Sequence, residues 1–180
     1  MTMNSATLMT RLDNPFWRFS INVYQHEVIK KQCLLFQDEQ GINVNLLLLC
    51  CWLAYAVEDI AKPQLLQACH AIDDWHASVT QPLRTSRRFV KSLASTEHWV
   101  EDFSQQLLMD EIVSETWQQY QLFSYFQDKQ KCPVTQNERL AIVYLHWLFA
   151  DMKLVIDKQL EAKINNFVNL IFSMVTNHAD

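Results

Sequence analysis

Apolar residues recur at intervals of three and four along most of the chain, which is the spacing of one face of a helix. In the first such segment Phe16 and Phe19 share a face, and Asp13 or Asn14 stands where a helix N-cap is expected. Pro15 follows at a first-turn position, where its missing N–H costs nothing. The pattern therefore predicts a helix that begins at Pro15.

The same periodicity continues to the end of the chain. It predicts an all-α, single-domain bundle of about seven or eight helices around a central apolar helix. After the first helix, we expect helices at about 28–39, 43–58, 63–79, 83–92, 95–126, 138–156 and 160–174.

The central helix is predicted from the stretch around Gly41, the only glycine in the chain. Gly41 is expected to end the second helix in the left-handed conformation, which glycine adopts without strain. Asn43 is placed to cap the next helix. Residues 46–57 are apolar nearly all round, which is typical of a helix buried on every side. With a single glycine, the chain also lacks any glycine-rich nucleotide loop.

The best internal boundary is a polar stretch at 127–136. It divides a helical core domain, 1–126, from C-terminal helices, 137–180, that are expected to pack on the core. Thr135 and Glu138 have the spacing of a capping box. The apolar stripe 160–174 is expected to close the domain, and its alternative role is a contact between two copies of the chain.

Composition limits the classes of function. The chain has 180 residues, 49% of them hydrophobic, and a net charge of −5, which argues against binding to nucleic acid. Its five cysteines are odd in number and lie mostly in apolar segments, a pattern typical of reduced thiols in a cytoplasmic protein. No signal-peptide pattern or membrane-spanning run is present, so we expect a cytoplasmic protein without a membrane partner.

Two sequence blocks resemble a known family. The first contains NPFWRFS from Asn14 and a QDEQGINVNLLL segment from Gln37; the second contains Trp75 and QPLRTSRR from Gln81, and ends at Lys91. Together they are similar to an uncharacterised proteobacterial family, a domain of unknown function. The resemblance covers about 14–91 and implies a bacterial source and a helical fold. It supplies no activity.

The most distinct cluster of charge is cationic. Arg84, Arg87, Arg88 and Lys91 are spaced i, i+3, i+4 and i+7, so they share one face of a helix. Guanidinium groups match phosphate and carboxylate oxygens in geometry, so this stripe is a candidate site for an acidic or phosphorylated partner. The alternative is a solvated face paired with neighbouring acids, of which the nearest in sequence are Asp73, Asp74, Glu97 and Glu101.

Catalytic and metal-binding patterns are weak. Cys69, His70, Asp73, Asp74 and His76 lie together, but none of the recognised zinc or di-iron spacings occurs. No serine or cysteine has a nucleophile-elbow or oxyanion-loop context. We therefore expect no metal, no cofactor and no catalytic residue.

A second polar group flanks the central helix and consists of Trp17, Arg18, Gln37, Asp38, Asn43 and Asn45. One interpretation is a structural lock in which Arg18 pairs with Asp38. The other is that these residues line a pocket for a small ligand.

The sequence is compatible with three functions. The leading prediction is a non-catalytic interaction or regulatory module that docks an unknown protein partner through the cationic stripe. The alternative is a small-molecule binder or enzyme for an anionic or acyl ligand, with its pocket near Trp17, Arg18, Asp38 and Asn45. The third is binding to RNA or a ribonucleoprotein.

Overall fold

The computed structural model describes residues 13–57, 59–93, 98–131 and 137–176. Within these ranges the chain is helical and forms no strand, as the periodicity predicts, and an isolated antiparallel bridge joins Val57 to Gln130. The main helices are α1 Pro15–Tyr24, α2 Glu27–Gln40, α3 Val44–Ala56, α4 Lys62–His70, α5 Gln81–Ser92, α6 His98–Ser124, α7 Glu138–Asp151 and α8 Lys158–Thr176.

Helix α3 is the centre of the fold. Its residues from Asn45 to Leu53 are all buried, and it packs on α1, α2, α6 and α7. Trp52, near its C-terminal end, is 1% exposed and contacts the rings of Phe16 and Phe123. The predicted central apolar helix is thus confirmed, and the other helices take their positions from it.

The local signals around α1 to α3 are also confirmed. The Asn14 side chain accepts a hydrogen bond from the backbone N–H of Trp17 at 2.9 Å, with Pro15 as the first helical residue. Gly41 ends α2 with a φ of 68°, and Asn43 caps α3 by accepting from the N–H of Asn45. These caps fix the tight connection between α2 and α3.

The helix predicted at 63–79 is divided in two. Helix α4 ends at His70, and after a turn a short helical segment, Asp73–Trp75, leads through a π-helical turn, His76–Thr80, into α5. Pro82 lies in the first turn of α5 and cannot donate the backbone hydrogen bond that would continue a regular α-helix. The chain therefore changes its helical pitch before the predicted cationic stripe begins.

Helix α7 packs on α3, and α8 packs on α7, α2 and α1. Helix α7 is capped by Asn137, whose side chain accepts from the N–H of Leu140; Thr135 of the predicted capping box lies outside the described residues. The helix ends at Asp151, five residues before the predicted end, and Lys153 turns the chain with a φ of 60°.

The apolar stripe of α8 faces the core of its own chain. Ile164, Phe167 and Ile171 are completely buried in the same cluster as α3. This placement agrees with the first of the two interpretations, closure of the domain, and it leaves these three residues no surface for a second copy. None of the described helices is both long enough and apolar enough to cross a membrane.

Candidate functional site

A cavity of about 560 Å³ lies on one side of α3. Its walls come from α1, α2, α3, α5 and α6, and it opens to solvent. The size is within the range of cavities that hold small organic ligands.

The two groups of residues predicted as separate sites meet at this cavity. Trp17 and Asn45, from the polar group around α3, line it together with Arg84, Arg87 and Arg88 from the cationic stripe. Trp17 comes from α1 and Asn45 from the first turn of α3, whereas the arginines come from α5. The sequence did not indicate that these residues share one space.

The remaining predicted residues lie elsewhere. Arg18 is exposed and pairs with Asp13 at 2.7 Å, so the expected lock between Arg18 and Asp38 is not formed. Asp38 instead approaches Arg88 at 3.3 Å, in a smaller polar pocket beside the cavity. Lys91 is exposed and forms no ion pair with the described residues.

Arg84 and Arg87 do not form a solvated stripe with their neighbours in sequence. Glu111 of α6 accepts from Arg84 Nε at 2.7 Å through one oxygen and from Arg87 Nε at 2.6 Å through the other. Glu115, one turn later, accepts from Arg84 at 2.5 Å. The partners of the stripe are therefore Glu111, Glu115 and Asp38 rather than the acids nearest in sequence.

The two glutamates differ in their electrostatic state. Burial disfavours the charge of Glu111, but the hydrogen bonds from Arg87 and Arg84 outweigh it and hold the pKa of this carboxyl below its usual range. Burial raises the pKa of the Glu115 carboxyl in spite of the positive charge of Arg84. Both oxygens of Glu111 are committed to arginines, whereas the second oxygen of Glu115 receives no hydrogen bond from the described residues.

A chain of buried amides and hydroxyls connects the cavity wall to the π-helical turn. Gln119 Nε2 donates to Asn45 Oδ1 at 2.7 Å, and Asn45 Nδ2 lies 3.4 Å from Gln118 Oε1. Asn43 Nδ2 also donates to Gln118 Oε1, at 2.8 Å. Gln118 in turn donates to the Thr80 hydroxyl. These directions fix which end of each amide faces which partner, and we call this set the amide network.

Two buried polar atoms among the cavity-lining residues have no partner. They are Ser20 Oγ and Gln119 Oε1, in residues that are 3% and 8% exposed. An unpartnered buried polar atom costs roughly 1–3 kcal/mol, so native proteins rarely keep one without a reason. Both belong to residues that line the cavity.

The histidine and acidic residues around His70, considered above as a metal-binding group, do not converge on one point. His70 Nε2 lies 2.7 Å from Asp151 of α7, and its i+4 neighbour Asp74 is not its partner. No group of three or more metal-ligating side chains occurs among the residues that the structure describes. Burial raises the pKa of the Cys33 and Cys69 thiols to about 12, which makes them poor nucleophiles.

The family model for DUF2390, described as a protein of unknown function, matches residues 15–122. The chain belongs to this family of unknown function. No curated protein and no solved structure matches the chain. Membership of an uncharacterised domain family is thus confirmed, and the match extends past Lys91 through most of α6.

The DUF2390 region contains the whole cavity. Every residue that lines it falls between Trp17 and Gln119, while α7 and α8 lie outside the matched range. The residues that line the cavity therefore all belong to the part of the chain that the family model matches.

Four residues of the site were missed by the sequence reasoning: Glu111, Glu115, Gln118 and Gln119. A signal for them exists, because their spacing along α6 is i, i+4, i+7 and i+8, which places them along one helical face. The glutamates of that face are opposite in charge to the cationic stripe, and its glutamines can form hydrogen bonds with the asparagines near the start of α3. Apolar residues are also spread around α6, so this polar face does not stand out in the sequence.

Proposed function

We propose that the chain binds a small organic anion with an apolar body in the cavity between α1, α2, α3, α5 and α6. The observation that carries this proposal is the convergence of Trp17, Asn45 and the three arginines of α5 on one space of ligand size. It resembles the pocket predicted as the alternative function, with the arginines of α5 in place of Arg18 and Asp38.

The charge of the lining favours an anion. Lys30, Arg84, Arg87 and Arg88 contribute four positive charges, and Glu111 and Glu115 contribute two negative ones, so the cavity carries an excess of two positive charges. This excess lies in a chain whose net charge is −5. Arg88, with 57% of its side chain exposed, is the arginine best able to turn toward a ligand.

The rest of the lining is suited to an apolar body. Apolar atoms make up most of the cavity surface, and the apolar side chains that line it include Ile21, Leu34, Leu48 and Ile112. Burial of such a body would supply binding free energy of about 25 cal/mol per Å² before the costs of association.

Fluorescence titration with 8-anilinonaphthalene-1-sulfonate tests the proposal, because this probe combines a sulfonate with an aromatic body. We expect saturable binding to the folded protein with one site, and at least a fivefold loss of affinity in Arg88→Ala, which is about 1 kcal/mol. Arg139→Ala removes an exposed arginine of α7 that does not line the cavity, and this variant should bind as the wild type does. Equal affinity in all three proteins would contradict the proposal.

Docking of an acidic or phosphorylated protein through Arg84, Arg87, Arg88 and Lys91 has less support. Arg84 and Arg87 keep only 14% and 22% of their side chains exposed and are already paired with Glu111. Lys91→Ala separates the two proposals, because Lys91 belongs to the stripe and does not line the cavity. Binding of the sulfonate probe should be unchanged in this variant, whereas docking to a partner should weaken.

Binding to RNA or a ribonucleoprotein has the least support. It requires free cations for the phosphate backbone, and the negative charge of the chain opposes it.

A further inference from the structure

Two residues that line the cavity carry hydrogen-bond acceptors that the described residues do not use. Gln119 Oε1 is buried and has no partner, and one oxygen of Glu115 receives no hydrogen bond from the described residues. The two residues are four apart on α6, so their side chains are neighbours on the same helical face. Both line the cavity.

The orientation of Gln119 is set by its neighbours. Its Nε2 donates to Asn45 Oδ1, and the amide of Asn45 is oriented in turn by Gln118 Oε1. A flip of the Gln119 amide would place two oxygens against each other, so the amide network holds Oε1 away from Asn45. The unpartnered acceptor is therefore a fixed feature of the wall.

Glu115 is held in a comparable way. One of its oxygens accepts from Arg84, and a third of its side chain stays exposed. The pKa of this carboxyl is raised by burial, so a hydrogen bond to its free oxygen would relieve an unfavourable charge. Ser20 Oγ, the other unpartnered buried atom among the described residues that line the cavity, can act as a further acceptor on the α1 side.

We propose that the ligand of this cavity is an organic anion that also carries a hydroxyl or amide hydrogen-bond donor, and that Glu115 and Gln119 accept this donor. A neutral donor is favoured over an ammonium group because the lining already has an excess of positive charge. The inference rests on the proposed function, since it describes a second group on the same ligand.

Three probes of matched shape test the inference in the full chain: 3-phenylpropionate, 2-hydroxy-3-phenylpropionate and 2-methoxy-3-phenylpropionate. The first lacks the donor, the second has it, and the third keeps the oxygen without the donor. By calorimetric titration, we expect the hydroxy acid to bind about tenfold more tightly than either of the others.

A variant identifies the acceptor. Glu115→Gln keeps an oxygen for Arg84 and replaces the free oxygen by an N–H donor, so the preference for the hydroxy acid should fall to about twofold or less. Glu101→Gln, an exposed change on the same helix, should keep the wild-type preference. Thermal melts verify that each variant is folded.

The outcomes separate this inference from the function on which it rests. If all three acids bind the wild type equally, or if Glu115→Gln keeps the full preference, the donor subsite is wrong while anion binding stands. The comparison of the three acids uses only the wild type and does not depend on how the variant folds. If neither these acids nor the sulfonate probe bind, the proposed function fails and the inference fails with it.

Discussion

Arg84 and Glu111 join α5 to α6 through a hydrogen bond of 2.7 Å between Arg84 Nε and Glu111 Oε1, with 14% and 6% of their side chains exposed. Arg87 occupies the other oxygen of the same carboxylate. A single glutamate thus pairs with two arginines of the predicted stripe.

Removal of this carboxylate should destabilise the fold. Glu111→Ala leaves two largely buried guanidinium groups without their principal partner, and we expect a loss of roughly 3 kcal/mol in the free energy of unfolding. Urea denaturation measures it. Asp38→Ala is the matched control, because the pair between Asp38 and Arg88 is exposed and should contribute less than about 1 kcal/mol. Equal effects of the two substitutions would show that Glu111 is not the centre of the α5–α6 contact.

The amide network makes a second contribution to stability. Gln118→Leu would remove the oxygen that accepts from the side chains of Asn43 and Asn45 and the N–H that donates to Thr80, at a position that is fully buried. We expect a loss of about 2–4 kcal/mol by urea denaturation. Gln106→Leu changes an exposed glutamine on the same helix and should remain within about 0.5 kcal/mol of the wild type. A Gln118 variant as stable as this control would contradict the role given to the network.

Two histidines should affect the pH dependence of stability with opposite signs. Burial and the positive charge of Arg84 lower the pKa of His76, so the unfolded chain binds the proton more strongly, and stability should fall as pH drops below about 6.5. The hydrogen bond with Asp151 raises the pKa of His70, so its stabilisation is present below about 6.5 and is lost as pH rises through the folded pKa.

Melting temperatures of His76→Gln and His70→Gln between pH 5 and 8 measure these effects. Relative to the wild type, His76→Gln should flatten the loss of stability on the acid side of this range. His70→Gln should instead remove a stabilisation present on the acid side, and the effect should be small because His70 is more than half exposed. Identical profiles for the two variants would contradict the assigned pKa directions.

Gly41→Ala tests the connection between α2 and α3. The backbone of Gly41 has a φ of 68°, and a Cβ at this position would meet no atom within 4 Å, so the cost arises from the backbone conformation alone. We expect a loss of about 1 kcal/mol and a melting temperature about 2–4 °C lower. Gly41→Asn should lose less, because asparagine tolerates the left-handed conformation better. A larger loss for asparagine than for alanine would indicate that contacts, and not the backbone, govern this position.

Local features of the fold could be predicted from the sequence because they depend on neighbouring residues. The cap at Asn14, the left-handed turn at Gly41 and the burial of α3 each follow from a few adjacent side chains. The division of the predicted 63–79 helix was missed, because the periodic pattern continues across the turn after His70.

The partners in the site could not be predicted in the same way. The pairing of Arg84 with Glu111 joins residues 27 positions apart and depends on how α5 and α6 are rotated about their axes. Polar and apolar residues are mixed around α6, so its inward face cannot be read from hydrophobic spacing. Gln118 was overlooked for this reason, although it is completely buried.

The helices that cover α3 limit how its backbone amides become exposed to solvent. Since this helix is covered by α1, α2, α6 and α7, solvent deuterium can reach its central amides only when several of these neighbours separate together. Exchange at residues 48–53 should therefore report cooperative global unfolding, whereas the ends of α5 and α8 exchange through local fraying.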